Sequence, residues 1–415
     1  MNKIKAEDIE KAKEKIEGVV KRTPLEYSQR LSKKYGARIY LKREDLQPVR
    51  SYKIRGAYNF LSSLNKEERN KGVVCASAGN HAQGVAYSCK ALKIKGVIFM
   101  PETTPKQKVN KVIAFGGSWT KIKLVGKTFD ESNKSALVYN KEKKAIYIHP
   151  FDDYRTMAGQ GTIAVEVLEE MSDGVDIVIA PIGGGGLVSG IGTYLKEKSP
   201  KTKILGVEPS GAASMHEAIK KGKVVELDSI DSFVDGTAVK KVGFKTFKIA
   251  RKILDNIAVV PEGKVCATMI ELYQNEGIVA EPAGALSITA LDDYQEVIKG
   301  KTVVCILSGG NNDLSRYPEI IEKSLVYQGL RHYLIIEFFQ KPGELKTFVT
   351  NVLGAGDDIT RFEYIKRTNK QKGPALVGIE LSKKEDLKPL LKRMDEYEIH
   401  YKYITPEDGL LNILI

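Results

Sequence analysis

The chain has little of what marks several large functional classes. Four cysteines, five histidines and one tryptophan occur among 415 residues. Cys75, Cys89, Cys266 and Cys305 stand far apart, three of them inside apolar runs such as Val73-Val74-Cys75-Ala76. That reads as reduced core thiols of a cytoplasmic protein rather than a disulfide framework. No His-x-x-x-His pair occurs and no histidine neighbours a cysteine pair, so no metal site is expected. No uncharged apolar run approaches the ~20 residues of a membrane span. The start, Met1-Asn2-Lys3-Ile4-Lys5-Ala6-Glu7, lacks the apolar core of a signal peptide.

What the chain does carry is charge. Lys and Arg number 65 against 52 acids, a net +13. The basic residues are spread along the chain, and clusters such as Lys141-Glu142-Lys143-Lys144 interleave with acids, as on solvated helix faces. With no zinc-finger spacing and no aromatic-basic RNA motif, nucleic acid is excluded as a partner. Two or three domains are expected from the length.

Buried-strand patterns at Val73–Ala76, Gly96–Met100, Lys121–Val125, Ala145–Ile148, Asp176–Ala180, Lys203–Val207 and Thr302–Leu307 alternate with amphipathic helical ones. A first helix is read over 6–21 and a first strand over Arg38–Lys42. Short apolar strands alternating with helices predict an α/β fold with a parallel, doubly covered sheet. Ligands of such folds bind at the carboxyl ends of the strands. From His332 the texture changes. Strands at Tyr333–Phe338, Ile359–Ile365, Ala375–Leu381 and His400–Ile404, with helices at Lys341–Leu353 and Glu385–Met394, give a βαββαβ order, the ferredoxin-like split unit. The boundary is read at Tyr327-Gln328-Gly329.

Four stretches carry chemistry. In Ser51-Tyr52-Lys53 a lysine follows an aromatic and precedes a helical pattern. A desolvated lysine near other cations loses its proton and becomes a nucleophile toward aldehydes. Ser77-Ala78-Gly79-Asn80-His81 joins a strand to a helix, whose first amides can hold an anion such as a carboxylate. Asn80 is there either a helix cap or a donor to a phenolate oxygen. Gly183-Gly184-Gly185-Gly186-Leu187 follows a buried strand and opens a helix, an arrangement suited to cradling phosphate. A dinucleotide fingerprint fails, because its third glycine would fall on Val188 or Ser189. Gly126-Lys127-Thr128 fails as a P-loop, because the required first glycine is Lys121. Finally, Ser308-Gly309-Gly310-Asn311 ends a strand with a neutral hydroxyl, which can hydrogen-bond a pyridine nitrogen without forcing its protonation.

Together with Glu281-Pro282-Ala283-Gly284-Ala285, these stretches resemble the pyridoxal-phosphate enzymes of the tryptophan-synthase-β class (fold type II), and within it the threonine dehydratases. The resemblance spans the whole chain. It implies that Lys53 carries the cofactor as a Schiff base and moves the α-proton. Gly183, Gly184, Gly185, Gly186 and Leu187 would hold the phosphate, Asn80 the ring hydroxyl and Ser308 the ring nitrogen. Ser77, Ala78, Gly79, Asn80 and His81 would clamp the substrate carboxylate. The implied reaction converts threonine, with serine as a second substrate, to its 2-oxo acid and ammonia. Lys341-Pro342-Gly343-Glu344-Leu345 and Asp358–Tyr364 resemble the ACT-like regulatory domain of the biosynthetic members, in the short form with one such unit. The implied organisation is a catalytic domain over 1–327 with a smaller subdomain at 47–155, and a regulatory domain over 328–415. Isoleucine and valine would be the effectors, and the assembly a homodimer or homotetramer.

Two rivals are set against this reading. Serine racemases place a serine immediately before Gly-Asn-His as a second proton donor, and here that position is Ala78. Their divalent-metal positions correspond to Glu208, Ala212 and Ser214, and the serine stands where they have an aspartate. A non-catalytic amino-acid sensor would have lost the lysine or the glycine loop, and both are intact.

Overall fold

A computed structural model describes residues 3–364 and 371–405. The chain divides into two compact units, Met1–Glu262 with Glu271–Asn312, and Gly263–Ile270 with Asp313–Ile415.

The first unit contains two sheets. One has six strands in the order Leu25–Tyr27, Arg38–Arg43, Thr302–Leu307, Ile177–Pro181, Lys203–Pro209 and Asn256–Val260. All neighbours are parallel except the edge strand Leu25–Tyr27, which runs antiparallel to Arg38–Arg43. The other sheet has four parallel strands, ordered Thr120–Leu124, Gly96–Met100, Val73–Ala76 and Ile146–Tyr147. Thr302–Leu307, Ile177–Pro181 and Val73–Ala76 are buried at every position, as central parallel strands covered on both faces must be. Each sheet has its own apolar core, built around Val178, Ile191 and Ile306 in one case and Cys75, Val85 and Ile98 in the other. All four cysteines are buried, and none forms a disulfide among the described residues.

The expected elements appear with shifted ends. The first helix, Ala6–Ile16, stops short of the predicted residue 21 as the chain turns through Gly18. Leu25–Tyr27 and Asn256–Val260 escaped a pattern-based reading, being a three-residue strand and a half-exposed one.

The second unit holds a four-stranded antiparallel sheet ordered Asp358–Tyr364, Lys372–Glu380, Arg331–Phe339 and His400–Ile404. Its helices are Glu344–Thr347, continued by a π-turn over Phe348–Val352, and Leu387–Glu396. This is the βαββαβ order read from the sequence, although the expected strand end at Ile365 lies outside the described residues. Helix Tyr317–Gln328 falls in this unit, earlier than the boundary read at Tyr327–Gly329. Glu322 on that helix accepts hydrogen bonds from Arg331 (2.8 Å) and Tyr333 (2.9 Å) of the first strand. Sequence texture does not register such a tie.

One buried ion cluster fixes the helix Lys53–Ser62. Arg55 is fully buried and spends all five donors. It forks onto Glu44 through Nε and Nη2 (both 2.8 Å) and onto Glu166 through Nη1 (2.6 Å) and Nη2 (2.9 Å), and Nη1 also reaches Thr162 Oγ1 (3.0 Å). Buried Lys42 pairs with Glu166 at 2.7 Å, so two carboxylates are balanced by two cations. Removing one partner of such a group strands the others in a dry interior. Arg55→Met should therefore destabilise the protein by about 3–5 kcal/mol. Arg55→Lys should recover only part of the loss, because an ammonium cannot fork. Urea unfolding checks both, and a loss below about 1 kcal/mol for Arg55→Met would show that the carboxylates find other partners.

Candidate active site

Lys53 is the first residue of its helix, directly after Tyr52. The Tyr52 amide donates to the Ser308 carbonyl at 3.1 Å, and Ser51 bridges Gly309. The lysine is thereby held beside the end of strand Thr302–Leu307. Its Nζ donates to the Pro150 carbonyl at 3.2 Å. Burial lowers its pKa from the usual lysine value to about 8, against an upward pull from the Glu281 carboxylate. The expectation of neighbouring cations is corrected here. Desolvation weakens this lysine's hold on its proton, and the charge that faces it is negative.

The residues after Pro150 lead to the glycine loop. Phe151 packs its ring on Gly184 so closely that a Cβ there would lie 2.3 Å from ring carbons, and a Cβ on Gly186 would lie 2.9 Å from the Phe151 Cβ. Gly185 caps the helix Gly186–Lys198 with φ +87°, a left-handed conformation that side chains disfavour. Asp152 accepts the amides of Phe244, Lys245 and Thr246, which open the helix Phe244–Ile253. Thr246 Oγ1 in turn donates to the Gly184 carbonyl at 2.7 Å. Three consecutive residues, Pro150 to Asp152, thus connect the lysine, the loop and the helix that supports the loop.

Asn80 and Ser308 complete the constellation. Helix Asn80–Leu92 starts at Asn80, with Gly79 as the residue before it, so Asn80 is not the cap. Its Nδ2 donates to Glu281 Oε1 at 2.6 Å and its Oδ1 accepts from Asn311 Nδ2 at 2.8 Å, which leaves one amide hydrogen for a ligand. Ser77 Oγ accepts from the Gly79 amide at 3.2 Å, and a Cβ on Gly79 would meet nothing within 4 Å. Ala78 and Gly79 thus present backbone beside open space at the N-terminus of a 13-residue helix. His81 is buried with Nε2 3.0 Å from the Ile148 carbonyl. Burial and the nearby Lys53 lower its pKa to about 3, so the ring is neutral. Ser308 is buried and its hydroxyl donates to the Ala283 carbonyl at 3.2 Å, a bond that a rotating hydroxyl can exchange. Leu187 is buried behind the loop.

Two residues carry more than their sequence signal suggested. Glu281 is fully enclosed, with burial and Asp235 raising its pKa to about 7. The sequence offered a clue in its place directly before Pro282, where the chain leaving helix Glu262–Glu276 enters the next helix. Gln160 sits mid-helix in Tyr154–Glu170, where nothing in the sequence sets it apart.

The donor set fits pyridoxal phosphate. A lysine of lowered pKa suits the aldehyde, and four successive glycines at a helix start suit the phosphate. Among the described residues, Ser51 Oγ, His81 Nδ1 and both polar atoms of Gln160 are buried near these elements without a hydrogen-bond partner. A polar group in the site would answer that deficit.

The family model for pyridoxal-phosphate dependent enzymes matches residues 16–309. The model for the C-terminal regulatory domain of threonine dehydratase matches residues 322–414. The chain is 54% identical over 415 residues to the biosynthetic L-threonine dehydratase IlvA of Halalkalibacterium halodurans, covering 100% of both chains. It is also 54% identical to the Bacillus subtilis protein of that name, over 99% of this chain and 98% of the relative. Among solved structures, the processed threonine deaminase isoform 2 of Solanum lycopersicum superposes with TM-score 0.73 at 41% identity, covering 77% of this chain and 87% of that one. Maize serine racemase does so with TM-score 0.72 at 31% identity, covering 78% of this chain and 98% of that one. The fold is therefore shared by lyases and racemases, while the full-length matches at high identity are to dehydratases. This chain belongs to the pyridoxal-phosphate dependent enzymes and, within them, to the biosynthetic L-threonine dehydratases.

Proposed function

We propose that the protein converts L-threonine to 2-oxobutanoate and ammonia with pyridoxal phosphate, as the first step of isoleucine biosynthesis. The observation that carries this reading is the link from Lys53 through Pro150 and Phe151 to the glycine loop, which puts an amine of lowered pKa beside a phosphate cradle.

In this reading Lys53 holds the cofactor covalently, and the amides of Gly183 to Leu187 hold its phosphate. The remaining Asn80 hydrogen meets the ring hydroxyl, and Ser308 meets the ring nitrogen. The bound cofactor supplies a conjugated ring that withdraws electrons from the substrate α-carbon. The first amides of helix Asn80–Leu92, with Ser77 to Gly79 before them, hold the substrate carboxylate. With the substrate bound, the Lys53 amine would accept the α-proton, a task for which a pKa near 8 is better matched than that of a free lysine. The β-hydroxyl would leave with a proton as water, and a second water would replace the amine, so one ammonia is released per threonine and the net uptake of water is zero. Ala78 carries only a methyl where a racemase needs a second proton donor, so elimination dominates over epimerisation. Residues 1–327 do this chemistry and 328–415 regulate it, with isoleucine lowering activity and valine opposing it. A cytoplasmic homo-oligomer completes the proposal, with serine as a slower substrate.

Four measurements test it. Lys53→Ala should reduce 2-oxobutanoate formation to background, and wild-type-like turnover would remove the lysine from the mechanism. Because the amine reacts only when neutral, cofactor capture by the wild type should accelerate as pH rises, with a midpoint near 8. A midpoint near 10.5, the ordinary lysine value, would place Lys53 in water.

Gly184→Ala drives a methyl into the Phe151 ring, and such overpacking typically costs about 1–3 kcal/mol, or about tenfold or more in cofactor affinity. Equilibrium titration with pyridoxal phosphate reads this directly, and an unchanged constant would place the phosphate elsewhere.

Effector coupling of this kind typically amounts to about 1–3 kcal/mol. Ending the chain after Gln328 should leave threonine turnover but abolish inhibition by isoleucine. Inhibition persisting at the same concentration would move the effector to the catalytic site.

A further inference from the structure

Gln160 is fully buried in the middle of helix Tyr154–Glu170. Neither its Nε2 nor its Oε1 has a hydrogen-bond partner among the described residues. Leaving a buried amide unpaired is expensive enough that native interiors nearly always avoid it. The position of the side chain explains the exception. A Cβ on Gly186, the first residue of the helix after the glycine loop, would lie 2.7 Å from Gln160 Oε1. A Cβ on Gly56, three residues after Lys53, would lie 3.1 Å from Gln160 Nε2. The amide is therefore wedged between the helix that starts with Lys53 and the loop at the start of Gly186–Lys198. A half-turn of the amide exchanges its donor and acceptor ends, so it can present N–H to either side.

We propose that Gln160 is a further cofactor-binding residue, its side-chain amide donating a hydrogen bond to the phosphate held by the glycine loop. The proposal rests on the loop being the phosphate cradle, as argued above. An amide is well suited to the place. It adds a donor to the backbone amides of the loop without adding a charge to a dry pocket, where an unpaired lysine or arginine would be strongly disfavoured. It also refers the phosphate to the same helix whose Glu166 clamps Arg55. A single bound phosphate then senses the spacing between the loop and the helix that bears the reactive amine.

The test compares pyridoxal phosphate with pyridoxal, which has the aldehyde and ring but no phosphate. Full-length wild type, Gln160→Met and Gln160→Glu are stripped of cofactor and titrated with each, following the absorbance of the Lys53 adduct. Wild type should prefer pyridoxal phosphate strongly, and equal affinities would overturn the cradle itself rather than the role of Gln160. Given that preference, Gln160→Met should weaken pyridoxal phosphate by about tenfold or more, the usual effect of losing a hydrogen bond to a charged group, and leave pyridoxal unchanged. Gln160→Glu keeps the shape but turns a carboxylate on the phosphate, so it should weaken pyridoxal phosphate further and again spare pyridoxal. Should Gln160→Met fail to fold, the isosteric glutamate variant carries the comparison alone. In cofactor-free protein Gln160→Met should melt no lower than wild type, since the unpaired amide is replaced by an apolar chain of similar length. Equal losses with both ligands would make Gln160 a packing residue and overturn the proposal. An unchanged constant for pyridoxal phosphate, as when a buried water satisfies the amide, would overturn it as well.

Discussion

The burial of one guanidinium governs the geometry of the catalytic unit. Arg55 lies two residues from Lys53 and is gripped by Glu44 on one side and Glu166 on the other, all three deeply buried. An ion cluster of this kind is a weak source of net stability, because desolvation offsets most of the Coulombic gain. Its value is geometric. A slide of the helix Lys53–Ser62 against Tyr154–Glu170 would break several of these buried charged contacts at once and is therefore costly. Close backbone contact reinforces the lock, since a Cβ on Gly159 would lie 2.3 Å from the Arg55 carbonyl oxygen. The Lys53 amine inherits its position from that crossing.

Electrostatics then set the working state of the site. Burial lowers Lys53 and raises Glu281, so both titrate near neutral pH. The two pull on one another: the carboxylate draws the lysine pKa up, and without it the amine would be a weaker base still. Glu281 meanwhile orients Asn80, which Asn311 holds from its other end. Asn311 also donates to the Val49 carbonyl at 2.7 Å, so the chain of contacts returns to the segment just before Lys53. A single carboxylate therefore acts on both the protonation of the amine and the orientation of the neighbouring amide.

The shared fold of dehydratases and serine racemases narrows the question of specificity to a few side chains. The superposition with maize serine racemase is almost as close as that with the tomato threonine deaminase. Backbone architecture therefore does not choose between elimination and epimerisation. Ala78 is a local difference of the right kind, because a methyl beside the helix N-terminus has no proton to give. Glu208 makes a similar point. Its carboxylate accepts the amides of Met215 and His216 at 2.8 and 2.7 Å, and burial raises its pKa to about 8. It supports the start of helix Ser214–Lys220.

Periodicity made the α/β class, the central strands and the C-terminal βαββαβ unit legible, because buried parallel strands must be apolar throughout and helices must repeat near 3.6 residues. The stretches holding Asn80, the glycine loop and Ser308 stood out because each follows a strand end, and Lys53 because it follows an aromatic at the start of a helix. The three-residue strand Leu25–Tyr27 was not, because so short a segment carries no period. Nor did the sequence reveal the roles of Phe151, Asp152 and Thr246, whose side chains meet the loop only through the close approach of segments about 30 to 90 positions apart. Gln160 shows the difference most clearly. In the sequence it is an ordinary polar residue in a helix with an apolar face. Only tertiary packing decides that this turn of the helix faces inward, between two close-approaching glycines, where the amide has no partner among the described residues.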